Sequence, residues 1–438
     1  MLDPNTSRIL FLSTYDKDGG AAACFMGYAL ALREAGCEVA MVVKYKTTDY
    51  SWVYPIAPAY STSNRLVRFC QKHFCKTKRD ISREQQGDYV FFYQENEFSV
   101  LPPIERIISV LPWNPTLIFS SMTCELANTT SLLTLSKSFH APIYFDAYDM
   151  NVFTGGCHVL WGCDGFKNRC SKCPAFASKP ERQQEVEKSF AIKVKNIHDG
   201  GMGILYAGPY LLALANESAC YKDMPKFDIG MCIDTDLFTN KNRNIAKRII
   251  GLPEDAIVIF TGSENVVNKR KGVQYFFDAL SVLWNALPES QRPKVYVMLA
   301  GKNVEKTQEK LKKLPPFHYH CIPYISDNRL LSLAYQASDM FVCPSIDDAG
   351  PMMVAEALAC GTPVVGFKMG LMYEPWYVKD GETGYVVELK DVEQLAQAMK
   401  KIILLHNNQF QQMSLQCRNV AEQSLSKTFS ISQIINIR

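Results

Sequence analysis

SIDDAGPMMVAEALACGTPVVGF, residues 345–367, decides the reading of this chain. It starts at the end of a strand-length apolar run, MFVCPS at 340–345, and closes on another, TPVVGF at 362–367. Between the two runs, Gly350 and Pro351 open a helix expected over 351–360, made almost wholly of small and apolar residues. Strand, helix and strand in such quick succession read as one crossover of a parallel sheet. Asp348 then lies in the loop after the first strand, and Glu356 lies inside the helix. In open parallel sheets ligands sit outside the carboxyl ends of the strands. An acidic side chain placed there can accept hydrogen bonds from sugar hydroxyls. The amides of Met352 and Met353, left without helical partners, can hold a phosphate oxygen. A plainer reading has Asp348 capping the helix and Glu356 facing solvent. Against it, Glu356 is flanked by Ala355, Ala357, Leu358 and Ala359, so its carboxylate is expected to be buried and paired.

Working outward, the same alternation recurs. In the carboxyl half it runs AIVIFTG (256–262), a helix from Gly272, KVYVMLAG (294–301), a helix to Leu314, HYHCIPY (318–324) and a helix over 327–337. The amino half runs RILFLS (8–13), a DKDGGAAA turn (16–23), a helix to Ala35 and CEVAMVV (37–43). TLIFSS (116–121), PIYFDA (142–147) and GILYAG (203–208) follow, with helices between them. This pattern predicts an α/β protein of two doubly wound, Rossmann-like domains facing across a cleft. The first domain is expected over 1–226 and the second over 235–408, with FDIGMCIDTDLF (227–238) as the joint. A helical tail over 409–438 is expected to cross back to the first domain. Residues 44–98 show no sustained period and are expected to form irregular loops plus a helix.

Two further segments carry chemistry. NKRKG (268–272) follows a strand and stacks Lys269, Arg270 and Lys271 at an expected helix start, where cations oppose the helix dipole. An anion bridging them would offset that repulsion, and a diphosphate accepts both a guanidinium fork and an ammonium. Gly19 and Gly20 sit at the turn after the first strand, where backbone passes close to a ligand or simply turns. They do not make the three-glycine dinucleotide fingerprint.

Composition excludes several classes. With 438 residues, 47% hydrophobic and 21% charged, the chain is too large for a single small module and too apolar to be disordered. Its 47 basic and 44 acidic side chains give a net charge of +3, which disfavours nucleic acid as a partner. No apolar run approaches the length of a membrane span. The opening MLDPNTSRILFLSTYD lacks the pattern of an export signal, so the chain is expected in the cytoplasm. Of 15 cysteines, Cys157, Cys163, Cys170 and Cys173 form the dense cluster. Four thiols at this density can close around a structural zinc, and Cys170 with Cys173 makes a C-x2-C clip. Free or paired thiols and an iron–sulfur centre are the other readings.

The strand–RKG–helix series, the PYISDNRLLSLAYQASDMFVCPS run (323–345) and the 345–367 block resemble the nucleotide-binding half of family-four glycosyltransferases, retaining enzymes with the GT-B fold. The resemblance implies transfer of a sugar from a nucleoside diphosphate sugar to a saccharide or lipid-linked saccharide acceptor, with no cofactor required for catalysis. It places Arg270 and Lys271 on the donor diphosphate, Glu356 on the donor ribose, and Asp348, an Asp where Glu is commoner, facing the donor sugar. Tyr324, Ile325 and Ser326 correspond to the segment whose backbone reads the base, Gly350 to Met353 to the helix start, and the loop at Gly20 to one that closes on the phosphates. YDMNVFTGGCHVLWGCDGFKNRCSKCPAF (148–176) is similar to a bacterial surface-polysaccharide subset of the family. There a His followed by Asp contacts the donor sugar; here Tyr148 precedes Asp149. Basic and aromatic residues over 64–79, among them Arg65, Arg68, Lys72 and Phe69, suit either a peripheral contact with the inner membrane face or a solvated helix face. A nucleotide-sugar epimerase and a donor-binding subunit without turnover are the rival readings.

Overall fold

The structure is a computed structural model that describes residues 7–17, 19–56, 83–86, 88–92, 97–98 and 101–437. Its first sheet opens with β1 (Arg8–Tyr15), β2 (Glu38–Tyr45) and β3 (Val53–Pro55). A separate antiparallel pair follows, β4 (Arg83–Gln86) with β5 (Tyr89–Phe92). The first sheet is completed by β6 (Leu117–Ser120), β7 (Ile143–Asp146), β8 (Gly203–Tyr206) and β9 (Lys226–Asp228). Its seven strands are all parallel, in the order β3-β2-β1-β6-β7-β8-β9. Ile9, Leu10, Phe11 and Leu12 have no exposed surface, as strands covered by helices on both faces require. Phe11 packs on Phe25 of the helix Gly20–Glu34 at 4.8 Å between ring centres.

The second sheet contains β10 (Ile257–Asn265), β11 (Val295–Lys302), β12 (His318–Ile322), β13 (Met340–Cys343), β14 (Val364–Phe367) and β15 (Gly384–Val387). They run parallel in the order β12-β11-β10-β13-β14-β15. This is the doubly wound order whose direction of winding reverses between β10 and β13, the place where such sheets leave a crevice for a ligand. Phe276, Leu280 and Leu283 of the helix Val273–Ala286 and Leu395 and Met399 of the helix Val392–Ile403 close the core over Val295, Val297 and Val365.

The chain divides into two compact units, Met1–Tyr206 with Leu211–Ile229 and Ile431–Arg438, and Ala207–Tyr210 with Gly230–Ser430. Residues 207–210 therefore group with the second unit, and the last eight with the first. The expectation of irregular loops over 44–98 needs correction, since strands β3, β4 and β5 lie there, while 57–82, 87 and 93–96, where the expected helix could fall, lie outside the described residues. The helix expected to run to Leu314 ends at Leu311, after a 3-10 turn at Val304–Thr307.

Candidate donor site at the switch point of the second sheet

The site is assembled by one close approach of backbone. After β10 the chain enters a 3-10 turn, Lys269–Lys271, whose first amides are held by the Asn268 side chain accepting from the Arg270 amide at 3.2 Å. Gly272 ends the turn with φ +65°, and a Cβ there would lie 1.8 Å from the Pro344 carbonyl oxygen. No other residue fits this position. The contact lays the loop after β10 against the loop after β13, and the Ile346 amide donates to the Arg270 carbonyl at 2.8 Å. The three cations thus sit in a turn of their own, and the helix proper starts at Val273, one residue after the expected Gly272.

The anion that joins two of them belongs to the chain. Arg270 Nη1 donates to Asp348 Oδ2 at 3.1 Å and to the Asp347 carbonyl at 3.3 Å, and Lys271 Nζ donates to the same Asp348 oxygen. Side-chain exposure is 29% for Arg270, 18% for Lys271 and 10% for Asp348. Burial raises the Asp348 carboxyl, but Lys271 and then Arg270 outweigh it and hold the group below the usual carboxylate range. Two cations thus face one carboxylate oxygen. Tyr210 stands close enough for Asp347 and Asp348, after burial, to push its hydroxyl above its ordinary range, and its ring packs on Tyr373 at 5.3 Å.

Glu356 is in the helix Met352–Ala359 and is 6% exposed, as the run of alanines around it implied. Its Oε2 accepts from the Tyr335 hydroxyl at 2.8 Å. Burial pushes its carboxyl up to about 7, with the Tyr335 hydrogen bond pulling the other way. Pro351 is the residue before this helix, and no side chain caps its amino end, so Met352 and Met353 present first-turn amides near the carboxyl end of β13. Gly350 has room for a Cβ at ordinary contact distance, its nearest neighbour being Leu371 at 3.8 Å. Its small size is not what builds the loop. The Asp348 cap of the plainer reading does not form.

Tyr324, Ile325 and Ser326 follow β12, the edge strand, two strands away from β10. The Tyr324 ring is 48% exposed and lies 5.0 Å under the Lys302 ammonium.

The remaining candidates lie in the first unit. Gly19, at φ +95°, precedes the helix Gly20–Glu34, and a Cβ on either glycine would meet open space. The Tyr148 hydroxyl bonds that of Tyr28, and burial carries it well above the ordinary tyrosine range. Asp149 accepts from the Asn151 amide at 2.7 Å and lies 2.6 Å from His158 Nδ1. Cys157, Cys163, Cys170 and Cys173 line one small pocket beside Gly165, whose amide points at Cys163 Sγ, 3.5 Å away. Burial, then neighbouring thiols among other groups, pushes Cys170 up to about 12. Among the described residues no group of three or more His, Cys, Asp or Glu side chains is arranged to hold a metal ion. The segment 64–79 lies outside the described residues, and among them no helix is long and apolar enough to cross a membrane.

Sequence reasoning missed Tyr335 and Gly272. Tyr335 was in plain sight in the 323–345 run, with no local feature tying it to Glu356. For Gly272, expected only as the start of a helix, the one local signal is its place directly behind three cations.

Residues 242–421 match the family model described as glycosyl transferases group 1. A D-inositol 3-phosphate glycosyltransferase of Geodermatophilus obscurus is 29% identical over 187 residues, 39% of this chain and 38% of its own. The match thus spans about two fifths of that relative. Two solved structures align along nearly the whole chain. Sucrose-phosphate synthase from Thermosynechococcus elongatus has a TM-score of 0.62 at 16% identity over 98% of this chain and 97% of its own. Alr3699/HepE of Anabaena in complex with UDP-glucose has a TM-score of 0.58 at 14% identity over 98% of both. With the reversed winding between β10 and β13, these likenesses give the chain the two-domain GT-B fold, and its residues 242–421 are similar to the glycosyl transferases group 1 family.

Proposed function

We propose that the chain is a retaining glycosyltransferase of polysaccharide biosynthesis, moving a hexose-type unit from a nucleoside diphosphate sugar to a saccharide or lipid-linked saccharide acceptor. The observation that carries the reading is the meeting of Arg270, Lys271 and Asp348 where β10 and β13 part, with Glu356 in the helix that starts there. The paired cations Arg270 and Lys271 suit a diphosphate, and the first-turn amides at Met352 and Met353 suit its oxygens. Glu356 then accepts hydrogen bonds from the ribose. That Alr3699/HepE is known in complex with UDP and with UDP-glucose supports a nucleotide sugar as the donor class.

In this reading the chemistry is driven by the leaving group. As the bond from sugar to diphosphate breaks, negative charge grows on the phosphate oxygens, and Arg270 and Lys271 stabilise it in a site already set for it. Asp348 keeps the two cations positioned while the site is empty and yields part of them to the diphosphate. Attack from the same face lets the departing phosphate oxygen take the acceptor's proton, so no separate base is needed.

A thermal-stabilisation screen with UDP, GDP, ADP and their sugars selects the donor, and turnover is then measured for wild type, Lys271→Ala and Glu356→Ala. Losing the charge of Lys271 should lower turnover about 100- to 1,000-fold, in the range for removal of one group that stabilises a transition-state charge, while circular dichroism stays unchanged. Wild-type turnover in Lys271→Ala would refute the assignment.

A further inference from the structure

Glu356 sits in a stretch of helix that is otherwise apolar and buried. Val354, Ala355, Ala357, Leu358 and Ala359 of its own helix have no exposed surface. From the helix Asn328–Ala337, the Tyr335 hydroxyl reaches Oε2 at 2.8 Å. From β13, Cys343 acts on Tyr335, and at the end of Glu356's own helix Cys360 feels the carboxylate's charge. From the helix Asn407–Ser424, Arg418 spends its guanidinium on the carbonyls of Thr235, Phe238 and Ala359, at 2.9, 2.6 and 2.8 Å, and its Nε on Glu422. The Arg270 and Lys271 charges are engaged by Asp348. Tyr335 is thus the polar side chain shown to hold the carboxylate.

Its hydroxyl is also placed with little freedom. The ring packs edge-on against Phe260 and Phe341 at 5.3 and 5.5 Å and against Phe238 at 6.3 Å, and the Tyr335 carbonyl accepts from Thr362 Oγ1 at 2.8 Å. Tyr335 has no exposed surface, so it cannot touch a donor itself.

Resting on the donor-site reading above, we propose that Tyr335 is a positioning residue for nucleotide recognition: its hydroxyl pins one Glu356 oxygen and leaves the other for the ribose hydroxyls. The same hydrogen bond favours the ionised carboxylate in a site where burial opposes it. Donor affinity in the wild type then rises with pH through neutrality, as Glu356 loses its proton and becomes a full acceptor.

Tyr335→Phe keeps the aromatic packing and deletes only the hydroxyl. Affinity for UDP, GDP and ADP is measured by calorimetry from pH 6 to 9, and the buried carboxyl is titrated without ligand by infrared difference spectroscopy, with Glu356→Gln assigning the band. The variant should bind about tenfold more weakly at pH 7, the scale of one hydrogen bond to a charged group, and approach wild-type affinity by pH 9. Its carboxyl band should titrate at higher pH than that of the wild type, and in turnover the defect should fall on KM rather than kcat. An equal loss of affinity at every pH would mark a merely structural defect and overturn the proposal, as would an unmoved carboxyl titration. If the wild type binds none of the three nucleotides, the donor reading itself fails and takes this role with it. If the wild type binds and only the variant fails to differ, this role alone is overturned.

Discussion

Glu356→Gln should stabilise the second unit in alkaline solution and do little in acid. In the fold, burial holds this carboxyl's proton up to about 7, whereas an exposed glutamate releases it at 4.5. At about 1.4 kcal/mol for each tenfold change in proton affinity, ionising Glu356 costs the folded state on the order of 3 kcal/mol. The sign follows from which state keeps the proton. Below 4.5 the carboxyl is neutral whether folded or not, and its stabilisation relative to the ionised form is fully present. As the pH rises from 4.5 through about 7, the unfolded chain ionises first and that stabilisation is lost. Gln has no proton to lose and can still accept from the Tyr335 hydroxyl. Urea unfolding followed by circular dichroism at pH 5 and pH 8.5 tests this with the two proteins side by side. The wild type should lose about 2–3 kcal/mol between the two pH values that the variant keeps. Because every other titrating group is common to both proteins, the difference of differences isolates Glu356. Parallel pH dependences would refute the burial argument and, with it, the pH dependence expected of donor binding.

Two further outcomes follow from the same geometry. Gly272→Ala puts a methyl 1.8 Å from the Pro344 carbonyl oxygen at φ +65°, so the loops after β10 and β13 must separate; a loss above about 3 kcal/mol, read as a lowered urea midpoint or failed expression, is expected, and a stability equal to wild type would show that the close approach is not required. Asp348→Asn leaves Arg270 and Lys271 facing each other without a counter-charge, and should cost about 1–3 kcal/mol, less than for a fully buried pair because both cations are partly exposed; an unchanged midpoint would show that solvent already screens them.

Much of the second unit can be read from local sequence. Strands such as β10 and β13 are continuous apolar runs between helical periods, and a parallel sheet buried on both faces demands that pattern. Glu356 could be read as buried because its neighbours are alanines and leucine at consecutive positions, whatever side of the helix faces the core. The strands that escaped, β3, β4, β5, β9 and β15, are three or four residues long. They are held by pairing to a neighbouring strand more than by any pattern of their own. β15 depends on Gly384, where a Cβ would lie 1.8 Å from the Val364 carbonyl oxygen, an approach that nothing in GYVV announces.

Pairings across long separations were not legible. The hydrogen bonds of Asp348 to Lys271 and Arg270 span 77 and 78 positions. Tyr335 meets Glu356 across 21 positions and two helices. The sequence alone determined the alternation of strands and helices, the division into two α/β halves and which residue types stand at the ends of β10 and β13, since these follow from side-chain periodicity and turn chemistry within a few residues. Which carboxylate balances which cation, and which hydroxyl holds Glu356, was decided only when the sheet order brought distant loops and helices together, because charge and hydrogen bonding act over a few ångströms of space and not along the chain.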